Sequence, residues 1–394
     1  MFRQISIHPD HRNLQLILWK NSVNGPVQAF KLNTVTYGTS CAPYLATRTI
    51  KQLAIDEGDS FPLAAAVIIK DTYMDNILSG RSDFREFQLL QEQLVDLFKK
   101  AGMSLHKWCT STPNFRNSIP LEDQAYDFFC EPPNTIKSLG VIWNPNLNYF
   151  TSKVDVNIHD SCTKRKVLST ISRLFDPLGF LGPILTKAKL FLQKLWILRL
   201  ECDEPLPDSM AKDWQCFVST LPATENMQIP RHMGEKSGIV IHGFSDASAV
   251  AYGAVLYMKS ISGETSYTRL LCSKSRVSPV KPITIPRLEL CASVLLAQLL
   301  NKDFKSLTLP IQQIMLWTDS TIVLAWLQRS PDQLKTFISN RVKVIQELTK
   351  NCHWNDVASD KNPADVLSRG LNASEIASYE LWCVNYSKSG ATST

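Results

Sequence analysis

A short apolar run that stops at a lone acid constrains this chain more than any other feature. Residues 239 to 257 read Ile-Val-Ile-His-Gly-Phe-Ser-Asp-Ala-Ser-Ala-Val-Ala-Tyr-Gly-Ala-Val-Leu-Tyr. The stretch from Ile239 to Phe244 has the length and composition of a buried strand, and it ends at Asp246. A second apolar run, Tyr252 to Met258, can return as a hairpin partner. A carboxylate just past a buried strand is costly unless it faces water or binds something. Three other acids sit at the ends of elements. Glu289 opens an apolar helical pattern, Asp319 closes the apolar strand Ile314 to Thr318, and Asp365 follows Asn362-Pro363-Ala364 at the opening of a late helix. Each acid alone reads as a cap or a solvated surface group. Together, in this order and on these elements, four carboxylates can hold two divalent ions close together, the arrangement used for in-line phosphodiester cleavage.

Those segments carry a resemblance. They stand as Phe-Ser-Asp-Ala-Ser (244–248), Ile-Pro-Arg-Leu-Glu-Leu (285–290), Trp-Thr-Asp-Ser (317–320) and Asn-Pro-Ala-Asp-Val-Leu-Ser-Arg-Gly (362–370). Residues 239–370 are similar to a ribonuclease H domain of the retroelement kind, nearest to the BEL/Pao group of long-terminal-repeat retrotransposons. The resemblance continues upstream and implies a fragment of a Pol polyprotein of the α/β class. Its expected parts are an α+β palm remnant of a reverse transcriptase (1–150), a helical thumb and connection (151–237), and a ribonuclease H-like mixed five-stranded sheet flanked by helices (238–370). A flexible tail (371–394) is expected to follow. The resemblance implies Asp246, Glu289, Asp319 and Asp365 as catalytic metal ligands, with Mg²⁺ as the cofactor and Mn²⁺ as a substitute. It implies an RNA–DNA hybrid or other nucleic acid as partner, with further parts of the polyprotein as additional candidates.

One departure touches turnover. Cellular ribonucleases H carry a His in the loop before the last Asp, and Ala358 to Asn362 contains none. His353 falls too early, where a packed strand residue is expected. The competing function is a non-catalytic nucleic-acid-binding remnant of a decayed element; intact sequence around all four acids favours the enzyme. An aspartic peptidase is disfavoured, because the chain contains neither Asp-Thr-Gly nor Asp-Ser-Gly.

Upstream, Tyr73-Met74-Asp75-Asn76 resembles the Tyr-x-Asp-Asp hairpin of reverse transcriptases, with Asn76 where the second Asp belongs. The family's other palm Asp stands a few residues before the segment that here reads Met1-Phe2-Arg3-Gln4. Asp75 is left as the residual polymerase ligand. Mg²⁺ demands near-octahedral oxygen coordination, so a truncated and inactive polymerase part is expected. Nearby, Ser82 to Lys100 is predicted as an amphipathic helix, with Asp83 and Glu86 as a capping box and Gly102 as its stop. Leu14 to Trp19 and Thr34 to Tyr37 are predicted as strands.

Charge is uneven. The formal net charge is +6, and residues 151–200 alone hold nine basic residues against three acids. This cluster is either a solvated helix face or a phosphate-contacting surface. Lys164, Arg165, Lys166, Lys187 and Lys189 are its nucleic-acid-binding candidates. The ten cysteines include no C-x-x-C pair, which argues against a zinc site and a dense disulfide framework. An intracellular setting, cytoplasmic or nuclear, and no membrane partner are expected.

Overall fold

Residues 1–112, 115, 119, 123, 135–154, 162–232, 238–262, 265–307, 309–376 and 378–382 are described by the computed structural model. They divide into two units, 1–134 and 135–394. In the first unit, β1 (Leu16–Trp19) and β2 (Gln28–Lys31) form an exposed antiparallel hairpin. The predicted second strand at Thr34–Tyr37 is therefore corrected. That segment is drawn to the N-terminal residues instead, through a Ser6↔Thr34 bridge and a Val35 N–H bond to Ile5 O.

Three helices build this unit's core: α1 (Ala42–Asp56), α2 (Pro62–Asp71) and α3 (Phe84–Lys100). Small residues of α1 and α2, among them Ala46, Ala54 and Ala64, let the backbones approach while Leu90, Leu94 and Leu97 of α3 fill the space. The Asp83 carboxylate accepts from the Glu86 N–H at 2.9 Å, and Gly102 stops the helix at φ +65°. Glu86 does not return the bond; its carboxylate faces Arg81 at 3.9 Å. Between α2 and α3, β3 (Thr72–Tyr73) and β4 (Asn76–Ile77) form a minimal hairpin across Met74 and Asp75.

The second unit opens with β5 (Ile136–Ser138), β6 (Val141–Asn144) and β7 (Tyr149–Thr151), an antiparallel sheet that β8 (Ile229–Pro230) completes. Helices α4 (Lys164–Arg173), α5 (Gly182–Ile197) and α6 (Asp208–Thr220) lie between β7 and β8 in sequence. The expected mixed five-stranded sheet follows. Its strands are β9 (Ile239–Ala247), β10 (Ala251–Ser262), β11 (Thr265–Val277), β12 (Ile311–Thr318) and β13 (His353–Asp356), in the order β11-β10-β9-β12-β13. The first three pair antiparallel, and β12 runs parallel to both β9 and β13.

Strand alternation assigns the faces of this sheet. Ile239, Ile241, Leu256 and Leu316 pack against Leu295, Leu296 and Leu299 of α7 (Ile285–Phe304). Val255, Tyr257 and Leu270 join the other core, with residues of α5 and α6 and of two short helices, α10 (Asp365–Arg369) and α11 (Ala373–Ile376). Between them in sequence, α8 (Thr321–Leu327) and α9 (Thr336–Leu348) contribute Val323, Val342 and Ile345 to a smaller cluster with Leu290 of α7. The helices of 151–237 and the sheet thus share one core.

Two expectations are corrected here. A tail beginning at residue 371 does not fit, because Trp382 is fully buried, its indole N–H donates to Phe180 O at 3.0 Å, and Tyr257 Oη donates to Leu381 O. Residues 383–394 lie outside the described residues. His353 is exposed rather than packed, since it begins β13 at the sheet's edge.

Candidate active site

Each predicted carboxylate sits where an element starts or stops. Asp246 is the penultimate residue of β9, opposite Gly253 on β10. Gly253 is needed there: a Cβ would stand 2.4 Å from Leu367 Cβ, so only glycine lets α10 lie this close to the strand. That approach carries Asp365 and Ser368 toward Asp246. Asn362 fixes the turn before α10, donating to Ser245 O at 3.1 Å and accepting from Ala364 N–H at 3.1 Å. Glu289 stands one turn into α7, and Asp319 directly follows β12.

The electrostatics tie the four together. Burial lifts the Asp246 carboxyl to about 6, and the charges of Asp319 and Asp365 push the same way. The Ser368 hydroxyl and the Ala247 N–H oppose the shift. Glu289 and Asp365 are also raised, first by burial and in each case further by Asp319. Asp319 is therefore the charge that all three others feel. Its Oδ2 accepts from Ser359 Oγ at 2.7 Å, while its Oδ1 is buried without any hydrogen-bond partner.

Every acid has a local neighbour that sequence reasoning missed. Ser320 donates to Glu289 while its oxygen accepts from the Val323 N–H and caps α8. Arg369 holds Asp365 at 2.8 Å across one helical turn. Both residues lie within the quoted motifs; the i,i+4 spacing from Asp365 could have signalled Arg369, whereas Ser320 meets Glu289 across 31 residues and no local spacing records it. A further pair lies on the same sheet face as Asp246 and Asp319, as period-2 alternation requires. There the Trp317 indole N–H donates to His242 Nδ1 at 3.3 Å, and burial, then Lys259, lowers the His242 pKa to about 4.

The chemistry of this donor set suits a hard cation, which takes carboxylate oxygens, and the Asp319 Oδ1 is a buried oxygen without a hydrogen-bond partner. No three His, Cys, Asp or Glu among the described residues are grouped so as to hold a metal ion.

The basic candidates fare differently from one another. Lys164 is 7% exposed; its ammonium donates to Leu200 O at 3.0 Å and lies 3.6 Å from the Trp196 ring centroid. It satisfies an orphan carbonyl beyond the end of α5 rather than a phosphate. Lys189 is partly buried, with its pKa lowered by burial against the opposing pull of Asp176. Arg165 is engaged by both Asp203 oxygens, at 2.6 and 2.8 Å. Lys187 packs its backbone where a Cβ on Gly370 would stand, and Lys166 is exposed. Asp75 is exposed on the β3–β4 hairpin in the first unit, beside the Asn76 amide at 3.2 Å.

Residues 163–320 match the sequence profile of a family described as the Pao retrotransposon-like RNaseH-like domain. Among solved structures, the chain is similar to the foamy viral protease-reverse transcriptase dRH in complex with ds DNA. That likeness has 13% identity and a TM-score of 0.53, over 90% of this chain and 54% of that one. The foamy viral protease-reverse transcriptase in complex with RNA/DNA hybrid is similar at 12% identity and a TM-score of 0.52, over 91% of this chain and 43% of that one. This chain spans about half the length of those two, and at such identity the likeness is one of fold. RNase H1 from Halobacterium salinarum NRC-1 matches at 18% identity and a TM-score of 0.23, over 32% of this chain and 93% of that one. No curated protein matches the chain.

Proposed function

For a retrotransposon Pol fragment with a Pao-type RNaseH-like domain at residues 163–320, we propose cleavage of the RNA strand of an RNA–DNA hybrid by Asp246, Glu289, Asp319 and Asp365. The observation that carries this reading is the convergence of three raised carboxyls on Asp319, whose Oδ1 is buried and unpartnered. Clustered like charges in a partly dry site are unfavourable alone and favourable around a cation. The four acids would hold Mg²⁺, or Mn²⁺ in its place, which supplies an activated water and stabilises the leaving oxygen when bound. The chain's own groups do the positioning. Ser320 orients Glu289, Ser359 orients Asp319, and Arg369 neutralises Asp365 until a cation takes its place. Substrate choice rests on hybrid shape and on the 2′-hydroxyls of the RNA strand.

A second reading is a nucleic-acid-binding remnant without catalysis. A labelled hybrid separates the two. Cleavage in Mg²⁺, its absence in EDTA, and its absence in Asp319→Asn are expected, with duplex DNA left whole. A folded chain that binds the hybrid and never cuts it leaves only the remnant. For the polymerase part, Asp75 is one carboxylate beside a neutral Asn76, and no primer extension is proposed.

A further inference from the structure

The loop after α4 walls a cleft that the nuclease reading does not use. About 670 Å³ of space, its open mouth included, lies between this loop and the strands β5, β6 and β7. Lys137, Lys153 and Arg173 line it. All three are exposed, and none has an ion-pair partner among the described residues. Three phenylalanines supply ring faces. Phe150 and Phe180 stack with centroids 6.0 Å apart and planes at 28°. Phe175 is 55% exposed, and its ring lies on the β5–β6 turn, where a Cβ on Gly140 would come within 2.2 Å of it.

The wall is stiff. Both Asp176 oxygens are occupied, accepting from the Phe180 and Leu181 N–H groups at 2.8 Å, so the one acid among the described lining residues is turned to its own backbone. Ser273 on β11 donates its N–H to Leu178 O at 2.8 Å, and Gly179, at φ +77°, lies against the Ser273 carbonyl. This combination of a half-exposed ring and three unpaired cations stands on a loop tied down at both ends. It has the chemistry that single-strand binders use: cations along the backbone and a π face under each base, which tolerates any sequence.

We propose that this cleft binds one unpaired nucleotide of a single-stranded nucleic acid, its base on Phe175 and its phosphate among Lys137, Lys153 and Arg173. The proposal rests on the nucleic-acid part of the nuclease reading and uses neither its carboxylates nor its metal. A base held in a duplex cannot reach the ring, so single strands bind in preference to duplexes.

Anisotropy with a fluorescein-labelled oligothymidylate of about 8 nucleotides, within the span of one single-strand site, tests it in EDTA with the full chain. The full chain is expected to bind, and the double variant Arg173→Ala, Phe175→Ala to bind at least about tenfold more weakly, as loss of a stack and a phosphate contact requires. Phe175→Leu keeps an apolar contact on Gly140 and removes the π face; it is expected to bind several-fold more weakly with an unchanged melting temperature. Asp246→Asn is expected to bind oligothymidylate as the unaltered chain does, whatever it does to a hybrid, which keeps this result separate from the fate of the nuclease reading. No binding by the unaltered chain, undiminished binding by both Phe175 variants, or equal binding of duplex DNA overturns the proposal.

Discussion

Asp246 is where a single proton has the largest consequence. Its carboxyl is raised from the usual 3.8 to about 6 in the fold, so the fold favours the protonated acid. The sign follows from linkage: stability from this group is complete below about pH 4 and is lost as pH rises through about 6. Each pH unit between those two values is worth about 1.4 kcal/mol, so the cost above the window is on the order of 3 kcal/mol. Asp246→Asn is therefore expected to melt higher than the unaltered chain at pH 7.5 and to lose that advantage at pH 4, in thermal scans without metal. In the same scans, millimolar Mg²⁺ is expected to raise the unaltered chain's melting temperature and leave Asp319→Asn unmoved, because a ligand stabilises only the state that binds it. Lys164 makes the opposite point about charge. With its ammonium on Leu200 O and over Trp196, Lys164→Ala is expected to cost about 1–3 kcal/mol of stability. The salt dependence of hybrid binding should stay the same; a shallower slope of log K against log salt would restore a phosphate role.

At the scale of elements, contact between β10 and α10 decides whether the four acids converge. Gly253→Ala puts a methyl group 2.4 Å from Leu367 Cβ, so α10 must retreat. A loss of about 1–3 kcal/mol is expected from overpacking of this kind. Hybrid cleavage should fall by more than stability does, since Asp365 moves with the helix. Thermal melts and single-turnover cleavage of the same variant check both. The elements themselves are legible in the sequence. Asp246, Glu289, Asp319 and Asp365 are readable because apolar runs of strand or helix period stop or start beside them. The hydrogen-bonded cap at Asp83 is readable for the same local reason. What local pattern cannot carry stays hidden. Lys164 meets a carbonyl 36 residues away, and the Trp317–His242 pair spans 75 residues. The strand predicted at Thr34 fails because its partner is the N-terminal segment, whose pull no period in 34–37 records.

Across the whole molecule, one core of the second unit is fed from both ends of that unit. Trp382 is fully buried against residues of α5, α6 and β10, although a lone Trp in a polar stretch gives no periodic signal. Trp382→Ala is expected to cost about 3–5 kcal/mol, the usual toll of emptying a large aromatic site. A chain cut after Gly370, at the boundary the sequence motifs suggest, should unfold or aggregate. A cooperative melt of that shortened chain at the original temperature would contradict the shared core. The first unit sets a separate expectation. With Asp75 beside Asn76, primer extension on an RNA template should not exceed that of an Asp75→Ala control, even with Mn²⁺ added.

Trp382 also has a consequence in time. A ribosome delivers this chain from its N-terminal end at roughly 5–20 residues per second, so the indole that donates to Phe180 O is made about two hundred residues after its acceptor. Until it emerges, the sheet and its helices wait on a core that lacks this large side chain. If the proposed cleavage holds, nascent chains that still lack this segment are expected to cut a hybrid less well than the finished chain.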